Sequence, residues 1–376
     1  MVQWRAPGTQ RVKGCRPKLL SGQNVDPRTW IGNLMAAAVM ACPSLASKLV
    51  PLVDMSAFSL RHADPAIIGN GMIAGRCNTG QHTDYLISYP QFDPRGPGWS
   101  TIAANVTMSK RGGRTPLCNY GWDALHEAAL HGDACPLMID VGANAGYSML
   151  PVAARGKRVL AFEPVARNVG MLKVNAFLNG WGGADGHVGL VEAAVSASSG
   201  TITLFAPKGR EDNSAIGRGD AAAATINVGS AHGVARHQVR TTTLDGYFGE
   251  ADAKLAQSLR LVKIDTQGHE LDVLRGMEGL LRRPDLNFTV VLELDHRLQE
   301  QSGHRPEDVL LLMHQWGWKP FCFNPKYPMG EMLLPVRHNG RTGKLPACYD
   351  VVFVRDRATA QASGAMGKVC AGRVCH

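Results

Sequence analysis

The chain has no Cys-x-x-Cys, no unbroken apolar run of membrane length, and a charged content of only 19%. Its nine cysteines are scattered over 376 residues, and their number is odd. That pattern offers no zinc-ligand spacing and argues against a disulfide framework in a chain of this size. Cys370 and Cys375, in a tail of small residues, read as unpaired thiols. Ile31 to Val53 is mostly apolar but is cut by Pro43, Lys48 and Pro51. A spanning helix needs about 20 largely uninterrupted apolar residues, so stable membrane insertion is disfavoured. A hydrophobic content of 45% is that of a foldable globular protein.

Acid is almost missing from the start of the chain. Residues 1–50 hold seven Lys/Arg and one acid, Asp26, whereas the whole chain carries +9. The positive charge therefore belongs to a leader more than to the folded body. A nucleic-acid-binding domain carries its basic face on the domain itself, so nucleic acid is disfavoured as a partner. The leader fits a disordered arm first, an organelle transit peptide second and a membrane anchor third. The location stays open between cytoplasm and organelle, with a membrane anchor disfavoured. Nothing here sets the oligomeric state.

What the chain does have is alternation. Apolar runs near 137–141, 158–162, 188–194, 260–265, 288–294, 319–323 and 350–355 predict strands. Helical spacing near 122–130, 146–155, 166–178, 268–282 and 305–316 predicts the helices between them. This is an α/β pattern: a doubly wound, mostly parallel seven-stranded sheet with helices on both faces. Thr201 to Phe205 predicts a hairpin strand. Residues 209–237, rich in Gly and Ala, predict a mobile insertion near the sheet's carboxyl edge that shapes a pocket. The organisation is a basic arm (1–30), an irregular extension (31–115), the α/β domain (116–356) and a disordered tail (357–376).

Two stretches carry the chemistry. In Leu137 to Glu163 a strand ends at Asp140, a turn follows (Gly142, Ala143, Asn144, Ala145, Gly146), and the next strand ends in Glu163. The turn opens at the sheet's carboxyl edge, where ligands bind. Glycine there lets a ligand lie close to the backbone. Glu163, 23 residues after Asp140, can accept hydrogen bonds from both hydroxyls of a ribose. The turn lacks the G-x-G-x-x-G spacing of a dinucleotide site, and an acid beside it repels a pyrophosphate. A sulfonium-bearing nucleoside with an ammonium group, S-adenosyl-L-methionine, suits it instead. The expected cofactor residues are Asp140, Gly142, Asn144, Gly146 and Glu163, with Tyr147, Asn168 and Glu192 beside them.

The second stretch, Leu261 to Leu274, puts Asp265 at a strand tip in the same crevice. Asp265 is the candidate base or orienting group, and His269 is the second candidate. Glu270 reads as a helix-start acid, and Lys263 as a structural partner for an acid. Asn175 and Asn179 read as caps. Glu293 faces the crevice by the same logic as Asp265. Asp265, Glu293 and Asp295 are all hard oxygen ligands, but their spacing demands no metal, and none is expected.

The motifs IDVGANAGYSML, VLAFEPVARNVGMLKVNAFLNG, AAVSASSGTITLF, VRTTTLDGYF, LVKIDTQGHELDVLRGMEGLL and VVLELDHR stand in one order. In that order and spacing the chain resembles the FkbM-type methyltransferases across residues 137–296. The resemblance implies a class I, Rossmann-like methyltransferase fold with S-adenosyl-L-methionine as cofactor. It also implies O-methylation of a hydroxyl on a sugar or other small metabolite. A nucleotide-dependent oxidoreductase and a non-catalytic scaffold of the same fold are the alternatives.

Overall fold

The computed structural model describes residues 42, 45, 52–53, 72–78, 84–90, 123–181, 187–207, 214–216, 234–250, 253–323, 333–335 and 350–355. The expected arm and disordered tail lie outside the described residues, as does most of the 31–115 extension and of the 209–237 insertion.

In chain order the strands are β1 (Met72–Asn78), β2 (Asp84–Pro90), β3 (Leu137–Val141), β4 (Arg158–Phe162), β5 (Val188–Val191), β6 (Ala194–Val195) and β7 (Gly200–Pro207). They continue with β8 (Ala215–Ile216), β9 (Val234–Thr242), β10 (Leu259–Ile264), β11 (Thr289–Glu293), β12 (Trp318–Phe323), β13 (Leu333–Pro335) and β14 (Asp350–Arg355). The helices are α1 (Asp123–Leu130), α2 (Met149–Ala154), α3 (Ala166–Leu178), α4 (Leu244–Glu250) and α5 (Ala253–Gln257). After them come α6 (Glu270–Arg275), α7 (Glu278–Arg282), α8 (His296–Gln301) and α9 (Pro306–Gln315).

The main sheet has eight strands in the order β13-β12-β14-β11-β10-β3-β4-β5. It contains the seven strands read from the sequence, plus the three-residue edge strand β13. From β5 to β11 neighbours run parallel, whereas β14 is antiparallel to both β11 and β12. In β3, Leu137, Ile139 and Val141 enter one core cluster and Met138 the other, as a period of two requires. Side chains of α4, α6, α7 and α9 pack on the first face, and those of α1, α2 and α3 on the second. With both faces covered, β3 is buried at every position.

Three expectations need correction. The helix expected over 268–282 is two helices. A Cβ at Gly276 would lie 2.0 Å from the Ser196 carbonyl oxygen, so the chain must be bare where it crosses that backbone. α7 then restarts on a borrowed cap: Asp245 accepts from the amides of Gly279 (2.7 Å) and Leu280 (2.9 Å). The extension read as irregular holds the antiparallel pair β1–β2. The hairpin strand expected at 201–205 is β7, and it pairs with β9 across the insertion in a second sheet of order β6-β9-β7-β8.

The third correction concerns cysteine. Cys42 and Cys135 form a disulfide, 93 residues apart in sequence with Cα atoms 5.6 Å apart, and Cys322 is disulfide-bonded as well. Spacing could not reveal this, because pairing depends on where the chain returns in space. The Cys42 bond secures a strap against the edge strand β5. Tyr247 donates to the Leu45 carbonyl, Val53 N donates to Leu190 O at 2.7 Å, and Leu45 and Leu52 pack over Gly189. Among the described residues no helix is long and apolar enough to cross a membrane.

Candidate active site

Strand order reverses between β3 and β10, and the crevice at their carboxyl ends is where an open α/β sheet binds ligands. A cleft lies there. Gly142, Asn144, Glu163, Asn168, Asp265 and Gln267 contribute polar lining; Phe162, Val165, Val195, Leu204 and Ile216 contribute apolar lining. Leu204 and Ile216 come from the second sheet, and Ser214 beside them belongs to the insertion expected to shape a pocket. No Lys or Arg lines the cleft among the described residues.

The turn after β3 is built from backbone contacts. Gly142 sits at φ 75°, and a Cβ there would lie 1.9 Å from the Asp265 carbonyl oxygen. Its bareness therefore lets the tips of β3 and β10 meet, where the sequence suggested room for a ligand. Gly142 N and Ala143 N both donate to Phe162 O, at 3.0 and 3.2 Å. Buried Asn175, reaching from α3, donates to Ala145 O at 2.9 Å. It is an anchor for the turn and not the cap expected; Asn179 does cap, donating to Asn175 O at 2.8 Å. Gly146 packs against Leu172, and Tyr147 lies in the apolar cluster under α3, so neither lines the cleft.

Glu163 is 3% exposed at the tip of β4. Its Oε2 accepts from Asn144 N (2.8 Å); its Oε1 accepts from Val165 N (2.9 Å) and Asn168 Nδ2 (3.3 Å). A carboxylate offers about four lone pairs, so these donors leave room for one ligand hydroxyl. A second bond requires Asn168 to release its longer one. Burial pushes the Glu163 carboxyl up to about 7 even though these donors favour the ionised form.

Asp140 is fully buried and does not line the cleft. Lys263, its neighbour across the β3–β10 ladder, lies 3.3 Å from Asp140 Oδ1 and 3.3 Å from Asp265 Oδ2. The same ammonium donates to Gly142 O at 3.3 Å. Burial alone would discharge this lysine, but the two carboxylates outweigh it and raise its pKa. Asp140 therefore reaches the cleft only through Lys263, which occupies the place the sequence reading gave to a ligand's ammonium.

Asp265 is the open end of this chain of charges, with 34% of its side chain exposed. Burial would raise its carboxyl; Lys263 and its hydrogen bonds reverse that and hold it below the usual range. Gln267 Nε2 donates to Asp265 Oδ1 at 2.8 Å and to Glu293 Oε2 at 2.9 Å. Glu270 is buried, and its Oε1 ties Thr266 N (2.9 Å) and Gly268 N (3.2 Å) while Gln299 donates to Oε2. It is the clasp of the 265–270 loop, and burial raises it to about 7. Asp295 caps α8 through Arg297 N at 2.8 Å and takes no part in the cleft.

The remaining candidates face elsewhere. His269 is 4% exposed; its Nε2 lies 2.9 Å from Ser196 Oγ and its Nδ1 3.4 Å from Asp272 Oδ2. Burial lowers it to about 4, so the ring is neutral and turned away from the cleft. Glu192 is exposed on a neighbouring groove beside Arg167 and Arg240. Sequence reading missed Gln267; it gave Lys263 a structural pairing with an acid, and the structure puts that pairing on Asp140 and Asp265 beside the cleft. One backbone signal does mark it: Asn144 (φ 54°) and Gln267 (φ 53°) are the non-glycine residues at positive φ among those described, and both line the cleft. Such strain persists where the surroundings over-determine it, and it concentrates at functional sites. Among the described residues no group of three or more His, Cys, Asp or Glu could hold a metal ion.

Known proteins can be set beside this geometry. The model of the methyltransferase FkbM domain matches residues 140–320. A methyltransferase FkbM from Methylobacillus flagellatus is 15% identical, with a TM-score of 0.34 over 58% of this chain and 43% of its own. This chain thus spans less than half of that protein. An rRNA methylase from Streptococcus thermophilus is 13% identical, with a TM-score of 0.31 over 64% of this chain and 97% of its own. A glycopeptide N-methyltransferase solved with (S)-adenosyl-L-methionine is 12% identical, with a TM-score of 0.29 over 62% and 92%. No curated protein sequence matches the chain.

Proposed function

We propose that the methyltransferase FkbM domain carried by residues 140–320 binds S-adenosyl-L-methionine in the β3–β10 cleft and methylates a hydroxyl of a sugar or other small metabolite. The observation that carries the reading is the charge of the lining. Glu163 and Asp265 face the cleft, and none of its described residues is Lys or Arg. With Lys263 held behind Asp265 and outside the lining, the cleft surface presents acids and no cation, which disfavours a pyrophosphate and suits a cationic nucleoside. The same lining removes support from the dinucleotide-dependent alternative.

The residues fit the group. Glu163 would accept a ribose hydroxyl, and Phe162, Val165, Val195 and Ile216 would flank the base with apolar surface. When bound, the cofactor supplies an activated methyl on a good leaving group. Asp265 acts first as an acceptor that orients the substrate hydroxyl and takes its proton as the new bond forms. A carboxylate held below its usual range is a weak base, so orientation outweighs proton abstraction here. Aligning the reactants can contribute about 7–11 kcal/mol, against roughly 10²–10⁴-fold for general-base help. Calorimetry with S-adenosyl-L-methionine and with NADH tests the cofactor: heat from NADH alone overturns the reading. Mass spectrometry of metabolite pools incubated with protein and cofactor then looks for a product heavier by one methyl.

A further inference from the structure

We propose that Gln267 and Glu293 are positioning residues: the Gln267 amide clamps the Asp265 and Glu293 carboxyls into a pair that holds one proton between them, leaving Asp265 as the charged acceptor that meets the substrate hydroxyl. The positioning role rests on the methyl-transfer reading above; the proton-holding pair does not.

Two segments converge to make the pair. Asp265 follows the tip of β10, Glu293 ends β11, and Gln267 lies in the loop between β10 and α6. One side-chain amide has two N–H donors, and Gln267 spends them at 2.8 and 2.9 Å on the two carboxyls. A single nitrogen within 3 Å of both carboxyls sets the two acids side by side. Two like charges held that close in a buried setting disfavour double ionisation, so one of the two carboxyls carries a proton. The surrounding charges choose which. Lys263, on β10, lies 3.3 Å from Asp265 Oδ2 and fixes the negative charge there. Asp350, on β14, stands opposite Glu293 in the antiparallel ladder. Glu270, on α6, adds to the negative field on Glu293 as it ionises, while Asp140, on β3, is already matched by Lys263. Lys263 is thus the near cation, and Glu293 keeps the proton. Burial raises the Glu293 carboxyl in the same direction, with Asp265 next.

The backbone supports the assignment. Gln267 stands at φ 53°, in the left-handed region that a non-glycine residue rarely adopts. Glycine would sit there without strain but would bring no amide. Pinned this way, Asp265 cannot rotate away from the cleft or share its charge with a second anion.

Infrared spectroscopy of the cofactor-free protein tests the pair directly. Beside the absorption that Glu163 and Glu270 contribute near neutral pH, the wild type should show one protonated-carboxyl band that persists to higher pH, is absent in Glu293→Gln and survives in Asp350→Asn. In Asp265→Asn, with no charge to hold the proton, the band should titrate away at lower pH. Gln267→Ala should shift the titration the same way, which a purely structural role would not do. Glu293→Gln preserves both hydrogen bonds, so turnover of methyl-labelled S-adenosyl-L-methionine onto mixed methyl glycosides should stay near wild type and lose its alkaline limb. Glu293→Ala and Gln267→Ala should lower kcat about tenfold or more, with the Kd for S-adenosylhomocysteine unchanged. A wild-type spectrum without the band, or a Glu293→Gln variant as poor as Glu293→Ala, overturns the proposal. A wild type that shows the band but transfers no methyl sinks the functional reading and with it the positioning role, while the shared proton stands.

Discussion

Breaking the Cys42–Cys135 bond is the sharpest perturbation of this fold, because it closes a loop spanning 93 residues of sequence. By the chain-entropy relation, such a cross-link removes about 4.6 kcal/mol of freedom from the unfolded chain at 25 °C. At about 2 °C per kcal/mol for a domain of this class, its loss should lower the thermal midpoint by roughly 9 °C. The folded state also loses its tether. The strap would then rest on Leu45 and Leu52 over Gly189, the Tyr247 bond to Leu45 O, and the Val53 amide on Leu190 O. Thermal unfolding of Cys42→Ser beside the wild type, each with and without reductant, reads the effect. Reductant also opens the Cys322 bond, so the serine variant isolates the strap. Hydrogen exchange at Val53 should rise in the same variant. An unchanged midpoint together with unchanged exchange at Val53 would refute the reasoning. Intact-mass analysis after alkylation of protein from its native cells adds the compartment, since structural disulfides persist in oxidising ones.

Three more predictions concern the cleft. Cofactor affinity should rise with pH and level off above about 7, because protonated Glu163 offers fewer acceptor lone pairs and the ionised form more. Titration calorimetry from pH 6 to 8 should show this slope in the wild type and a flat, weaker profile in Glu163→Gln; parallel profiles would clear Glu163 of the role. Gly142→Ala should cost several kcal/mol, since its Cβ meets the Asp265 carbonyl oxygen at 1.9 Å and its φ of 75° is left-handed. Denaturant unfolding measures that cost, and a wild-type midpoint would show that the strand tips can part freely. His269→Asn should lower stability by about 1–3 kcal/mol through its partners, buried Ser196 and half-buried Asp272, while leaving methyl transfer close to wild type. A large fall in kcat at unchanged stability would return His269 to the chemistry.

Burial patterns were legible in the chain, and contacts were not. Apolar runs placed the seven main strands, because a strand covered on both faces must be apolar wherever it lies. Strand-tip acids were legible for a related reason: Asp140, Glu163 and Asp265 each break or end such a run at the sheet's carboxyl edge. The sequence by itself thus determined the doubly wound sheet and the edge of it where the candidate site is sought. Its direction was another matter. Whether Asp140 meets a ligand or a lysine, or His269 a substrate or Ser196, depends on side chains that arrive from other strands. Gln267 could not be picked out, since its role needs Glu293 from 26 residues away and a left-handed backbone. Only the tertiary structure decided the Lys263 bridge, the Gln267 clamp and the Cys42–Cys135 tie. Each is a distance between residues remote in sequence, and local propensity carries no information about such distances.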